Sequence, residues 1–157
     1  MTDSISLREA AVADAAEIAR LLTQLGHTTT AAEVRGRWRA WHAEGHQAWV
    51  AARPDGSLAG LIQTAKMRVL HRPKPVGRVS SLVIDEPDRG AGIGTALLAI
   101  VESKLRDYGC GLVEVTSNDR LVEAHEFYRR RAYRRTSIRL AKDVSERATP
   151  TTTNGPA

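Results

Sequence analysis

Alternation of apolar and polar positions opens the chain: Ile5 and Leu7 predict a short strand over 5–8. A helix follows, with Ala15, Ile18, Ala19, Leu22 and Leu25 at helical spacing, and Asp14 with Glu17 resembles its start signal. After the break at Gly26 to Thr29, Thr30 and Glu33 form a capping box for a second helix that stacks Val34, Trp38 and Trp41 on one side. The runs 48–53 and 58–69 are extended in character and are separated by Pro54, Asp55 and Gly56, which predicts an antiparallel hairpin.

A basic loop with two prolines, His71 to Pro75, leads into the compact apolar run 79–84, a central strand that stops at Asp85, Glu86, Pro87 and Asp88. A glycine-rich turn then enters a helix carrying Leu97, Leu98, Val101 and Leu105. Gly109 and Gly111 close it; 112–116 reads as a strand, 119–131 as a helix, and 133–140 as an edge strand in which Ile138 and Leu140 flank Arg139. From Asp143 onward no apolar period remains, so 143–157 is expected to be a disordered tail behind a single domain spanning 1–142. The order β, α, α, β, β, β, α, β, α, β predicts an α/β fold, with antiparallel strands first and a strand–helix–strand crossover later.

Composition narrows the function classes. With 157 residues, 42% apolar and 26% charged, the proportions are those of one globular domain, and no stretch is apolar enough to span a membrane. Met1 to Glu9 carry Asp3 and Glu9 and no signal-peptide run, so a cytoplasmic location is expected. Cys110 is the only cysteine, which excludes an internal disulfide and a multi-cysteine zinc site and predicts a buried thiol; no metal site is expected. The 23 Lys and Arg against 18 Asp and Glu give a net charge of +5 and favour acidic ligands. Aromatic residues are only 4% of the chain, which speaks against a stacking platform for single-stranded nucleic acid.

The chemistry concentrates at Arg89, Gly90, Ala91, Gly92, Ile93, Gly94 and Thr95, between a buried strand and an amphipathic helix. There backbone N–H groups and the helix dipole converge on an anion, glycines let the main chain approach it, and Arg89 adds a guanidinium fork. A tight turn that needs glycine only for its backbone angles is the plain alternative. The phosphate loop of nucleotide hydrolases requires a lysine that this turn lacks. A dinucleotide fingerprint fails on spacing, since its third glycine falls on Leu97 or Thr95, although Glu114 lies where a ribose-binding acid could sit.

Arg89-x-x-Gly92-x-Gly94 after Leu82-Val83-Ile84 closely resembles the pyrophosphate-binding motif of the GNAT superfamily of acetyl-CoA-dependent N-acetyltransferases. Thr116-Ser117-Asn118, Arg120, Ala124-His125-Glu126-Phe127-Tyr128 and Tyr133 are similar to that superfamily's last helix and the strand after it. The resemblance covers 5–142 in element order, with its specific motifs between 79 and 133. It implies a mixed, mostly antiparallel sheet of about six to seven strands flanked by four helices and splayed between the fourth and fifth strands. It also implies acetyl-CoA as donor co-substrate without a metal, and a homodimer. The expected acceptor is a primary amine, in the first instance of a small molecule. A non-catalytic acetyl-CoA or nucleic-acid binding module on the same fold is the alternative.

Carried over residue by residue, the resemblance gives Leu82, Val83 and Ile84 a backbone role along the pantetheine, with an N–H near Val83 polarising the thioester carbonyl, where negative charge develops. It gives Asn118 a pantetheine contact and Tyr128 the proton for the departing thiolate; Phe127 goes to the core. An alkylammonium of pKa ~10.4 is neutral in only about one molecule in a few thousand at pH 7, so a base or water chain is needed. Glu114, Ser81, His71 and His125 are the candidates, and the pattern does not choose among them. Arginines at 129, 130, 131, 134, 135 and 139 form a run without acids, either a solvated face or an attraction for the CoA 3′-phosphate. Three positions depart from the family pattern: Ala132 stands where a glycine usually precedes the last aromatic, Asn118 lies ten residues before Tyr128, and little chain follows Leu140 for a final hairpin.

Overall fold

In the computed structural model, which describes residues 4–145, a five-stranded sheet runs in the order β1 (Ser6–Glu9), β2 (Gln47–Ala52), β3 (Leu58–Met67), β4 (Val76–Ile84), β5 (Leu112–Val115). The first three junctions are antiparallel and β4–β5 is parallel, because α3 (Ile93–Asp107) carries the chain back across the sheet between them. The other helices are α1 (Ala15–Gln24), α2 (Ala31–Ala43) and α4 (Val122–Arg129). Fold class and helix number are as expected from sequence.

Two apolar layers sandwich the sheet. On one face Ile18 and Leu21 of α1 pack with Val50, Leu58, Leu61 and Val83, with Val34, Trp38 and Trp41 of α2 at the margin. On the other, Ile93, Leu97, Leu98 and Val101 of α3 and Tyr128 of α4 pack with Ala51, Ile62 and Val79. Both layers exist because β3 alternates within a strand buried on both faces. Gly77 of β4 is required for close approach: a Cβ there would lie 2.6 Å from Leu105 of α3.

Several local expectations are corrected. The sheet has five strands among the described residues, not six to seven, because 133–140 forms no strand. Alternation predicts a face, but a strand also needs a hydrogen-bonding neighbour; Ile138 and Leu140 stand 73% and 90% exposed with none. Asp14 does not cap α1 through its side chain; it accepts from the Ala11 N–H and pairs with Arg8. On α1 the fully buried leucine is Leu21, with Leu22 only partly covered. The strand expected from 79 begins at Val76, and the helix expected over 119–131 is the shorter α4. Of the expected tail, 146–157 lies outside the described residues, and 143–145 belong to no helix or strand.

Candidate active site

Pairing between β4 and β5 ends at Val79 against Val115. Beyond that point Ser81, Leu82, Val83 and Ile84 pair only with β3, and the other edge of β4 has no strand partner among the described residues. A slipped register between Gln63 and Thr64 of β3, opposite Ser81 and Val79, marks a bulge where the strands part. The Asp85 N–H on the Ala59 carbonyl makes Val83 and Leu61 the next hydrogen-bonded pair, so the Val83 backbone expected to serve a ligand faces β3 instead; the backbone groups of Leu82 and Ile84 lie along the open edge, and their side chains join the α3-side core.

At the end of that edge the chain makes a 3₁₀ turn, 86–88, and then the glycine turn. Gly90 and Gly92 have φ of +82° and +83°, a region L side chains rarely adopt, and no atom lies within 4 Å of where a side chain would begin at either. Gly92 is the N-cap of α3 and offers no side chain to the first N–H groups of that helix. Arg89 is exposed and its Nε donates to the Ile84 carbonyl at 3.2 Å. Ala91 is exposed, Ile93 and Gly94 are buried under α4, and Thr95 is exposed in the first turn of α3. An uncapped fifteen-residue helix behind two left-handed glycines fits a pyrophosphate.

An ionic cluster around the buried Asp85 fixes the approach to this turn, and sequence reasoning missed it. Asp85, 6% exposed, accepts from Arg20 Nη1 at 2.8 Å, Gln24 Nε2 at 2.8 Å and Arg53 Nη2 at 2.7 Å. Arg53 also pairs with Asp88, and Arg20 with Glu17, whose carboxylate accepts from the Leu58 N–H. Burial raises the Asp85 carboxyl, but the hydrogen bonds from Arg20, Arg53 and Gln24 outweigh it and hold the group well below the usual carboxylate range. In the sequence Asp85 reads only as a strand stop, since its partners lie 32 to 65 residues away.

Tyr128 lies in the core layer formed with Val79, Ile93 and Leu97. Its hydroxyl makes no hydrogen bond among the described residues, and burial pushes its pKa up to about 12. Phe127 and Tyr133 meet its ring edge-on at 5.2 and 5.5 Å, and Tyr133 Oη donates to Glu102 at 2.7 Å. Phe127 is a packing residue, as expected.

A cleft of about 1430 Å³ follows the outer edge of β5 and is lined by Tyr128, Tyr133, His125, Thr116, Arg78 and Glu114, among others. It does not include Leu82, Val83, Ile84, the turn 89–95 or Asn118. Asn118 is exposed; its Oδ1 accepts from the Arg120 N–H and its carbonyl meets His125 Nε2 at 2.9 Å. Arg78 Nε donates to Glu114 at 2.7 Å across the last parallel pairs. These two side chains project from the face opposite Val79 and Val115. Of the base candidates, Ser81 has a buried hydroxyl without a partner among the described residues, and His71 is exposed in the loop before β4. Cys110 is half-buried rather than buried as expected, and that partial burial still raises its thiol, which makes it a poor nucleophile.

Residues 13–133 match the model of the Acetyltransferase (GNAT) family. Among curated proteins, an aminoalkylphosphonate N-acetyltransferase of Salmonella typhimurium is 34% identical over 88 residues, 56% of this chain and 57% of that protein, so the match spans little more than half of the relative's length. A Trypanosoma brucei acetyltransferase superposes with a TM-score of 0.79 at 23% identity, over 90% of this chain and 100% of that one. Glucosamine-6-phosphate N-acetyltransferase from Arabidopsis thaliana gives 0.77 at 21%, over 90% and 99%. At these identities the likeness to the two structures is one of fold.

Proposed function

Because the chain belongs to the acetyltransferase (GNAT) family, we propose that it moves acetyl from acetyl-CoA to a small-molecule primary amine that also carries an acid group. The observation that carries this is the gap opening at Val79 and Val115, with the glycine turn at the end of its β4 edge and an unengaged tyrosine hydroxyl beside it. Acetyl-CoA supplies the acyl carbon on a thioester whose sulfur leaves as a thiolate.

Each residue then has a separate task. The N–H groups at the start of α3, with Arg89, hold the pyrophosphate, and the free edge at 82–84 aligns the pantetheine arm, with Asn118 near it. The outward N–H groups of Leu82 and Ile84, rather than that of Val83, polarise the carbonyl. Tyr128 faces the donor from the α3 side, whereas Arg78 and Glu114 project from the other face, so the two substrates meet through the gap. Glu114 takes the ammonium and Arg78 the acid group of the acceptor, a division that agrees with the phosphonate named for the Salmonella relative.

In the transfer, nitrogen bonds to the carbonyl carbon as the carbon–sulfur bond breaks. Nitrogen gives up two protons on going from ammonium to amide: one leaves through Glu114 to water, and the other restores the Tyr128 hydroxyl after it has protonated sulfur. Shifting an amine of pKa ~10.4 to its neutral form at pH 7 costs about 4–5 kcal/mol; Glu114 gives the departing proton a path to water and does not lower that cost, because an opposite charge favours the ammonium.

Melting temperatures with acetyl-CoA, CoA and NAD, followed by thiol release with an aminoalkylphosphonate, an aminoalkyl carboxylate and a plain alkylamine, test this reading. At about 100 times its dissociation constant acetyl-CoA should add ~2.7 kcal/mol to stability, NAD should add nothing, and the acid-bearing amines should react fastest. Absence of both an acetyl-CoA shift and thiol release would overturn it.

A further inference from the structure

Two tyrosines line the cleft beside β5, and their hydroxyls are used differently. The Tyr128 hydroxyl makes no hydrogen bond among the described residues, so its proton is free to be given away. The Tyr133 hydroxyl is committed: its Oη donates to Glu102 Oε1 at 2.7 Å. Burial, and then the bond to that carboxylate, raise the Tyr133 phenol, so it stays protonated and the bond to Glu102 persists at neutral pH. Glu102 forms no ion pair among the described residues.

Tyr133 is held at both ends. Its N–H donates to the Tyr128 carbonyl at 3.1 Å, and its hydroxyl reaches a residue 31 positions earlier on α3. Between these anchors its ring lies 5.5 Å from the Tyr128 ring, with 67° between the planes. The opposing neighbour, Phe127, meets Tyr128 at 5.2 Å and belongs to the same short helix. That helix has eight residues, and its N-cap, Leu121, offers no side-chain hydrogen bond, so α4 does not fix its own orientation. Val101, the residue before Glu102, packs in the same layer as Tyr128. The Glu102 carboxylate thus ties the Tyr133 ring to the surface on which Tyr128 rests.

We propose that Tyr133 and Glu102 are positioning residues for Tyr128: the carboxylate holds the Tyr133 hydroxyl, and the Tyr133 ring, fixed in this way, sets the direction of the Tyr128 hydroxyl. This rests on the reading of Tyr128 as the proton donor in acetyl transfer. It assigns a task to Glu102 and separates two tyrosines of one cleft into a donor and a support.

Steady-state kinetics of Tyr133→Phe, Glu102→Ala and Glu102→Gln, each alone and combined with Tyr128→Phe, test it. Tyr133→Phe and Glu102→Ala should each lower kcat about 10-fold and leave the KM for acetyl-CoA unchanged. Glu102→Gln keeps an acceptor oxygen and should recover most of that loss. In the Tyr128→Phe background none of the three should lower kcat further, because the hydroxyl they direct is gone. Equal losses in both backgrounds would mean a contact that only supports the fold, and they overturn the proposal. Wild-type kcat in Tyr133→Phe and Glu102→Ala overturns it as well. Wild-type kcat in Tyr128→Phe alone overturns it while leaving the acetyl-CoA reading intact, whereas a wild type that neither binds acetyl-CoA nor releases thiol overturns both. Should Glu102→Ala not fold, Tyr133→Phe carries the same comparison.

Discussion

The two ends of the sheet are built on opposite plans. Where α1, the β2–β3 hairpin and the end of β4 meet, Glu17, Arg20, Gln24, Arg53, Asp85 and Asp88 are engaged with one another, and Arg20 and Arg53 also reach the Leu58 carbonyl. Around β5 and α4, among the described residues, the outer edge of a four-residue strand is open, the Tyr128 hydroxyl has no partner, and Arg131 keeps a buried Nε unused. The glycine turn lies between them, fixed from the closed end and open toward the other. Satisfied polar groups make a scaffold, and unsatisfied ones beside a cleft mark where a ligand supplies the missing half.

If the division holds, a substitution at the open end should harm turnover without harming stability. Tyr128→Phe removes a hydroxyl that bonds to nothing among the described residues, so melting should move little. Loss of a general acid lowers kcat by about 10²- to 10⁴-fold. Acetyl-CoA affinity should be kept. Equal kcat in the variant would show that water protonates the sulfur and would remove the main functional claim on this end of the molecule.

The converse applies at the closed end. Asp85→Asn leaves Arg20 and Arg53 facing a neutral amide, and with both partly solvated the cost should be about 2–3 kcal/mol, a fall in Tm of several degrees. The native carboxyl is depressed, so its contribution is fully present above the unfolded pKa of ~3.9 and is lost as pH falls through the folded value. Wild type should therefore lose stability below about pH 4, and the variant should be weaker at neutral pH and flatter in acid. Denaturant melts from pH 7 to pH 2 check this. A wild-type curve as flat as the variant's would show that the cluster does not couple to folding.

The same contrast explains what could be read in advance. The helices α1 and α3, the hairpin and the glycine turn were legible because periodicity, capping and turn chemistry are local. The Thr30–Glu33 capping box is present as read, with Glu33 N–H donating to Thr30 Oγ1 at 3.2 Å. The Asp85 cluster was not legible, since an acid after an apolar run reads as a boundary whatever cations later fold onto it. Residues 133–140 misled for the reverse reason: their alternation is locally that of a strand, and only the assembled sheet shows that no neighbour pairs with them. Motif spacing singles out Tyr128 and the turn as candidates, whereas the different partners of the arginines at 129–139 show only in the fold.

The smallest expected effect concerns the bend after α4, where the departure from glycine at position 132 has a structural reading. Ala132 has φ of 65°, so the backbone conformation that favours glycine is kept although the glycine is not. The bend holds because the N–H groups of Arg131, Ala132 and Tyr133 donate to the carbonyls of Tyr128, Arg129 and Tyr128, which sets the Tyr133 ring against Tyr128. A left-handed L-residue costs about 1–2 kcal/mol, and glycine returns about 0.5–1 kcal/mol of that as backbone entropy. Ala132→Gly should therefore stabilise by about 0.5 kcal/mol, an upward shift in Tm of about 1–2 °C at this chain length. A drop in Tm instead would mean that the bend relaxes once alanine is gone, and that the strained residue itself helps to hold Tyr133 and Tyr128 edge to face beside the cleft.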